Sequence, residues 1–201
     1  MNKVFLAAGL AVIAVVAYML MSGQEDPNDY MASIAQHRLE TERYMNSSSN
    51  SPFVASTDKI KLNYYPPNPA FKVSAQIERI EEKSYVQLGN SDGSSTRYTR
   101  YAYLHFELNG VQHKLLVLKN AEDRTAPLSL MFADETSGDT TYGGGRYLNI
   151  DFKNARRIAL DFNLAYNPYC AYNDIYSCPI VPRENYLKTR IEAGVKAFGK
   201  H

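Results

Sequence analysis

Arg97–Leu118 reads RYTRYAYLHFELNGVQHKLLVL, two runs of alternating apolar and polar residues on either side of Asn109-Gly110. Successive side chains of a strand point to opposite faces, so such alternation marks a sheet with one buried side. Asn-Gly suits the two-residue type I′ turn, which needs positive φ at both positions. The hairpin's register follows from that turn. Leu108 is expected opposite Val111, Phe106 opposite His113, Leu104 opposite Leu115 and Ala102 opposite Val117, and this face is the expected core. The other face carries Tyr101, Tyr103, His105, Glu107, Gln112 and Lys114.

Period two continues on both sides of the hairpin. Phe71, Val73, Ala75 and Ile77 alternate upstream, and a Gly/Ser/Asp turn over residues 90–95 leads into the hairpin. Downstream, 128–133, 147–152 and 156–162 read as strands, and alternation over 187–191 predicts a last strand with Ala193-Gly194 as its turn. Short strands separated by turn signals indicate a mainly β fold, an antiparallel sandwich or a partly open barrel. The 16 tyrosines agree with this, since tyrosine suits half-buried strands.

Toward the N-terminus the pattern changes. Asp26-Pro27 is a helix start, with Asp as cap and Pro in the first turn. The helix is expected to run to about Met45, with Met31, Ile34, Ala35, Leu39 and Tyr44 as its apolar face, as a stalk or laid across the domain. A Ser/Asn-rich linker closes it at 46–52. Before it, Lys3 precedes an apolar run from Val4 to Met21 that exits into Glu25, Asp26 and Asp29. Eighteen residues at 1.5 Å each give about 27 Å, close to the hydrocarbon thickness of a bilayer. A basic start and acidic exit place the N-terminus in the cytoplasm and the rest outside. No small-x-small cleavage site stands out, so the run is expected to stay as a single-pass anchor in the cytoplasmic membrane. The organisation read from this is an anchor over 1–23, a helix and linker over 24–52, and a β-rich domain over 53–201.

The formal net charge is +1, and Lys3 is the one charged residue among the first 23. The exported part is therefore neutral and lacks the basic excess of a nucleic-acid binder.

The polar chemistry is concentrated between Leu128 and Pro182, in TSGDTTYGGGRY and then DFNLAYNPYCAY. With CPIVPREN after them, these strings resemble the bacterial and archaeal domain of unknown function 1684. HRLETERYMNSSSNSPF is similar to that family's leading helix and IEAG to its closing element, so the resemblance runs from about His37 to Gly194. It implies a shared fold, with Asp134, Thr136, Gly138, Tyr142, Gly145, Arg146, Tyr147, Asp161, Asn163, Tyr166, Asn167, Pro168, Cys170, Cys178 and Asn185 at hallmark positions. It implies no activity, and no strict need for an oxidising compartment, since members without an export leader exist.

Several groupings in this block could carry chemistry. Gly143-Gly144-Gly145-Arg146 suits an anion cradle gripped by Arg, but it lacks both the Walker lysine ending and a dinucleotide spacing. The plainer reading is a turn needing positive φ, with Arg146 paired to Asp134, Asp139 or Asp161. Those carboxylates could also serve acid–base chemistry, or cap turns. Cys170 and Cys178, outside the membrane, read as a local disulfide worth about 2–3 kcal/mol. Zinc would need two further ligands, and no histidine lies between Leu128 and Lys200. Pro168 permits a cis bond, although trans is the ordinary state. A nucleophilic cysteine would need a base, and His105 and His113 are expected on opposite faces.

Two functions remain. One is a non-catalytic envelope domain, without cofactor or metal, binding a small polar or anionic ligand or an envelope protein. Its candidate ligand residues are Asp134, Asp139, Tyr142, Arg146, Tyr147, Asp161, Asn163, Tyr166, Asn167 and Asn185. The other is a hydrolase built on Asp134, Arg146 and Asp161, which requires those three groups to meet in a cleft walled by Tyr142 and Tyr166.

Overall fold

The computed structural model describes residues 26–199 apart from Arg124. The expected anchor over 1–23 lies outside the described residues. Among those described, no helix is long and apolar enough to cross a membrane.

One helix leads the described chain. α1 (Pro27–Ser47) begins at Asp26, whose carboxylate accepts from the Asn28 amide at 2.7 Å. It lies across the domain, rotated so that Ile34 alone of the predicted apolar face is buried. Tyr30, Ile34 and Met45 are its buried residues, whereas Met31, Leu39 and Tyr44 are exposed. A polar contact sets this rotation: the Tyr30 hydroxyl reaches Asp161 at 2.9 Å and accepts from Asn163 at 2.8 Å. An apolar count along the helix cannot see a tyrosine held by its hydroxyl.

Seven strands follow: β1 (Lys72–Gly89), β2 (Ser95–Leu108), β3 (Val111–Asn120), β4 (Leu128–Asp134), β5 (Arg146–Ile150), β6 (Arg157–Asp161) and β7 (Tyr186–Leu187). They build one sheet in the order β5-β4-β3-β2-β1-β6, with β7 added beside β4. The sheet is a half-barrel, and its neighbours along that path are antiparallel. Its end strands flank a narrow cleft of about 150 Å³ lined by Leu148 and Asn149 of β5, Leu160 and Asp161 of β6, and His37 of α1. Of the two architectures open at the sequence level, the partly open barrel forms; among the described residues there is no second sheet stacked on the first.

The hairpin has the register that its turn dictates, with Leu108 opposite Val111, Phe106 opposite His113, Leu104 opposite Leu115 and Ala102 opposite Val117. Asn109 and Gly110 have φ of 53° and 77°, both positive as type I′ requires. Above Ala102 the alternation changes sides. The register shifts between Arg100 and Ala102, so Tyr101 is an extra residue in β2 and Tyr98 joins the opposite core. Ala102, Leu104, Phe106, Leu115 and Val117 belong to the main core, while Leu116, Leu118 and Met131 belong to the second. β3 is thus sealed on both sides, which explains its unbroken run Leu115-Leu116-Val117-Leu118.

The predicted last strand is much shorter than its alternation suggested. Only Tyr186 and Leu187 pair, parallel to Ala133 and Asp134 of β4. Beyond Leu187 the main chain is held by side chains and by scattered main-chain bonds, such as Glu135 N–H to the Thr189 carbonyl and Tyr65 N–H to the Gly194 carbonyl, instead of a ladder.

Candidate functional site

The polar block resolves into separate clusters. At its centre Asp134, at the end of β4, and Arg146, at the start of β5, are both 0% exposed. Arg146 Nη2 donates to Asp134 Oδ2 and to the Ile191 carbonyl, each at 2.8 Å. Nη1 donates to the Ala193 carbonyl and, at 3.4 Å, to that of Val195. The guanidinium carbon lies 5.2 Å from the centre of the Phe132 ring. Asp134 Oδ1 accepts from the Thr136 amide at 2.8 Å, the Thr136 hydroxyl at 2.6 Å and the Ile191 amide at 3.2 Å. One ion pair therefore holds the Ile191 amide and the carbonyls of Ile191, Ala193 and Val195. Alternation there did not become a strand, and these three carbonyls bond a guanidinium instead of a ladder. Burial pushes the arginine below its ordinary pKa, opposed by the Asp134 charge.

Two of the three glycines are required by close packing. Gly145 has φ of +88°, and a Cβ there would lie 2.6 Å from the Phe132 carbonyl oxygen. A Cβ on Gly144 would lie 2.5 Å from the Tyr142 ring. The Gly145 amide is committed to the Tyr142 carbonyl at 3.0 Å and is not offered to a ligand.

A second cluster holds α1. Asp161 bonds Tyr30, as above, and accepts from the Asn163 amide at 2.9 Å. Asn163 also donates to the Asn68 carbonyl and accepts from the Asn68 amide, both at 2.8 Å. Asp161 thus has partners distinct from those of Asp134 and Arg146, and the two latter are sealed from solvent. The cleft that the hydrolase reading requires is not formed by these three groups.

Asn185 makes a third connection. β3 and β4 pair only at Leu118↔Ser129 and Lys119↔Leu128, and the fully buried Asn185 fills the gap beyond. Its carbonyl accepts from the Leu116 amide at 2.7 Å; its NH2 donates to the Leu116 and Met131 carbonyls at 2.8 and 2.7 Å. The side-chain amide takes the place of a peptide unit in the ladder.

The remaining candidates are dispersed through this scaffold, Asn167 fully buried and Tyr147 and Tyr166 partly so. Asn167 donates to the Lys196 carbonyl at 3.0 Å, and the Tyr147 hydroxyl to the Pro179 carbonyl at 3.1 Å. Tyr166 reaches Asn149 at 2.8 Å and lines the seam between β5 and β6. Burial raises the pKa of both tyrosines. Cys170 and Cys178 form a disulfide with Cα atoms 6.0 Å apart, and the Tyr142 hydroxyl lies 3.9 Å from Cys170 Sγ. There are no cis peptide bonds among the described residues, Pro168 included.

One opening brings two of the candidates together. A pocket of about 490 Å³ is lined by Gly138, Asp139, Thr141, Tyr142 and Gly143, with Ala197 and Gly199. Asp139 is exposed and bonded through Oδ2 to Arg190 at 2.9 Å; Arg190 also reaches Glu192 at 3.1 Å. These two carboxylates raise the arginine above its ordinary pKa. Arg190 was not among the sequence candidates. Its only signal there was its place between Lys188 and Glu192 on what read as the polar face of a strand.

No curated protein matches this chain. It is similar to the solution NMR structure of the uncharacterized protein from gene locus rrnAC0354 of Haloarcula marismortui, with 34% identity and a TM-score of 0.64, over 84% of this chain and 95% of that one. The model of the family described as protein of unknown function (DUF1684) matches residues 60–196, more than half of the sequence. With that match and the shared fold of the archaeal protein, the chain belongs to the DUF1684 family.

Proposed function

We propose that the domain is a non-catalytic binding module of the cell envelope, held on the outer face of the cytoplasmic membrane by its N-terminal apolar run. Its ligand is small, polar and uncharged, and sits in the pocket beside Asp139 and Tyr142. The observation that carries this reading is the commitment of the charges. Arg146 is sealed against Asp134, and Arg190 is shared by Asp139 and Glu192. The pocket therefore offers an anion no uncommitted cation among the described residues that line it. It does offer an aromatic ring, a carboxylate oxygen (Oδ1) with no bond to Arg190, and glycines that let a ligand approach the backbone. Such a set suits a polyhydroxylated compound, with the ring against its apolar side and the carboxylate accepting from a hydroxyl.

A thermal-shift screen of the full chain in mild detergent tests this, because a ligand at a hundred times its Kd adds about 2.7 kcal/mol to apparent stability. A neutral saccharide is expected to raise the melting temperature of the native protein but not of Asp139→Asn or Tyr142→Ala. Stabilisation by phosphate or dicarboxylates in its place would overturn the ligand class. A panel without effect would overturn the binding role.

A further inference from the structure

The cleft where the half-barrel stays open, between β5 and β6, has an apolar lining and polar edges. Leu148, Ile150, Leu160 and Leu164 line it from the main core. Main-chain groups face it from both strands. Tyr147 exchanges both its main-chain bonds with Tyr166 on this side of β5, so Asn149, two residues on, turns its amide and carbonyl the same way. On β6 the Arg156 carbonyl bonds the Ile77 amide of β1. Ile158 and Leu160 therefore also face β1, and Ala159 between them faces the cleft. Asp161 adds a charge. It is 9% exposed, and no cation among the described residues forms an ion pair with it. Lys72 stands opposite it in the β1–β6 ladder, with its ammonium 4.7 Å from the centre of the Tyr30 ring. Asp161 Oδ1 accepts from the Tyr30 hydroxyl and from both the amide and the NH2 of Asn163, whereas Oδ2 accepts from Tyr30 alone.

We propose that this cleft is a second binding site, for a small organic ammonium ion. Its charged head meets Asp161 Oδ2 and a carbonyl of Asn149 or Ala159, and its hydrocarbon part lies on the apolar lining. An ammonium has donors and no acceptor, which suits a site whose spare capacity is a carboxylate oxygen and two carbonyls. A carboxylate taken out of water and held by hydrogen bonds alone gains from a cation what a neutral ligand cannot supply. An anion would meet the Asp161 charge, with His37 as the other ionisable side chain of the lining besides Tyr166. Size narrows the class further. A volume of about 150 Å³ is that of a cavity that holds benzene, a molecule of about six non-hydrogen atoms. The saccharide assigned to the pocket beside Asp139 is larger than that, so the two sites take different ligands.

The test titrates the full chain in mild detergent with cyclopentylammonium and with cyclopentanol, which has the same shape without the charge, and follows main-chain amide shifts by NMR. The ammonium is expected to move the Asn149 and Ala159 amides. It should bind about tenfold or more tighter than the alcohol, the margin of a charge-assisted hydrogen bond over a neutral one. Asp161→Asn keeps the side chain's shape and should bring the two affinities together. Because Asp161 also holds α1, a second variant leaves every polar side chain in place. Ala159→Leu puts a larger side chain on the wall of the cleft and should abolish the ammonium shifts without moving the thermal unfolding curve. Equal affinity of the native chain for the two probes overturns the recognition of charge. Shifts confined to the pocket beside Asp139, ammonium binding unchanged in Ala159→Leu, or no shifts at all overturn the site.

Discussion

Asn185 shows how much of this fold rests on single side chains. Its amide occupies a rung of the β3–β4 ladder that the main chain leaves empty, and Asn185→Ala would strand the Leu116 amide and carbonyl and the Met131 carbonyl in the core. An unsatisfied buried group costs about 1–3 kcal/mol, so we expect a loss of about 3 kcal/mol or more in urea unfolding. A loss under 1 kcal/mol would mean that water or backbone movement closes the gap. Gly194 makes a similar point about backbone: at φ of +74° its added Cβ would lie 2.7 Å from the Ala165 and Phe162 carbonyl oxygens. Gly110 has a comparable φ with open space around it. Gly110→Ala should therefore cost about 1 kcal/mol, through strain alone, and Gly194→Ala clearly more. Equal losses would contradict the close packing around Gly194. His113 supplies a pH dependence. It stacks on Phe106 with centroids 5.5 Å apart, and burial holds its pKa below the ordinary 6.5. The unfolded chain thus binds the proton more readily than the folded one. His113's contribution is complete above pH 6.5 and is lost as pH falls through the folded pKa. The difference in stability between His113→Gln and the native chain should vary with pH in that window and level off above it; a difference independent of pH would contradict the shift.

Elements were legible where their signals are local. The hairpin could be read to the residue, because Asn-Gly fixes φ and the turn fixes register. The start of α1 was also legible, since Asp26-Pro27 is a cap that acts within two residues. What lay beyond reading depends on contacts distant in sequence. The face of α1 is set by Tyr30 reaching Asp161, 131 positions away. Residues 187–195 are held by Arg146, whose guanidinium bonds three of their carbonyls, together with main-chain bonds from Glu135 and Tyr65. The side change in β2 comes from a single extra residue at Tyr101, for which alternation gives no warning. In the candidate site, the sequence marked a block of polar residues but could not distribute them. Asp134, Arg146, Asp161, Asn163 and Asn185 proved to be joints between elements, while the pocket took Asp139 and Tyr142 and added Arg190 at its rim.

At the scale of the whole molecule, these joints explain how a half-barrel without a closing ladder keeps its shape. β4 and β5 are tied to the C-terminal segment by Asp134 and Arg146, β3 to β4 by Asn185, and β6 to α1 by Asp161 and Asn163. Asp134, Arg146, Asp161, Asn163 and Asn185 are thereby accounted for as scaffold, and binding is left to what the scaffold displays, Tyr142 included. The buried ion pair is the centre of that account. A double-mutant cycle on Arg146→Ala and Asp134→Ala, followed by denaturant unfolding, tests it most directly. Each single variant should lose about 3–5 kcal/mol by leaving a charge unpaired in the core. The double variant should fall short of the sum by about 2–3 kcal/mol. Arg146→Ala within about 1 kcal/mol of the native chain, or strict additivity of the two losses, would contradict the account.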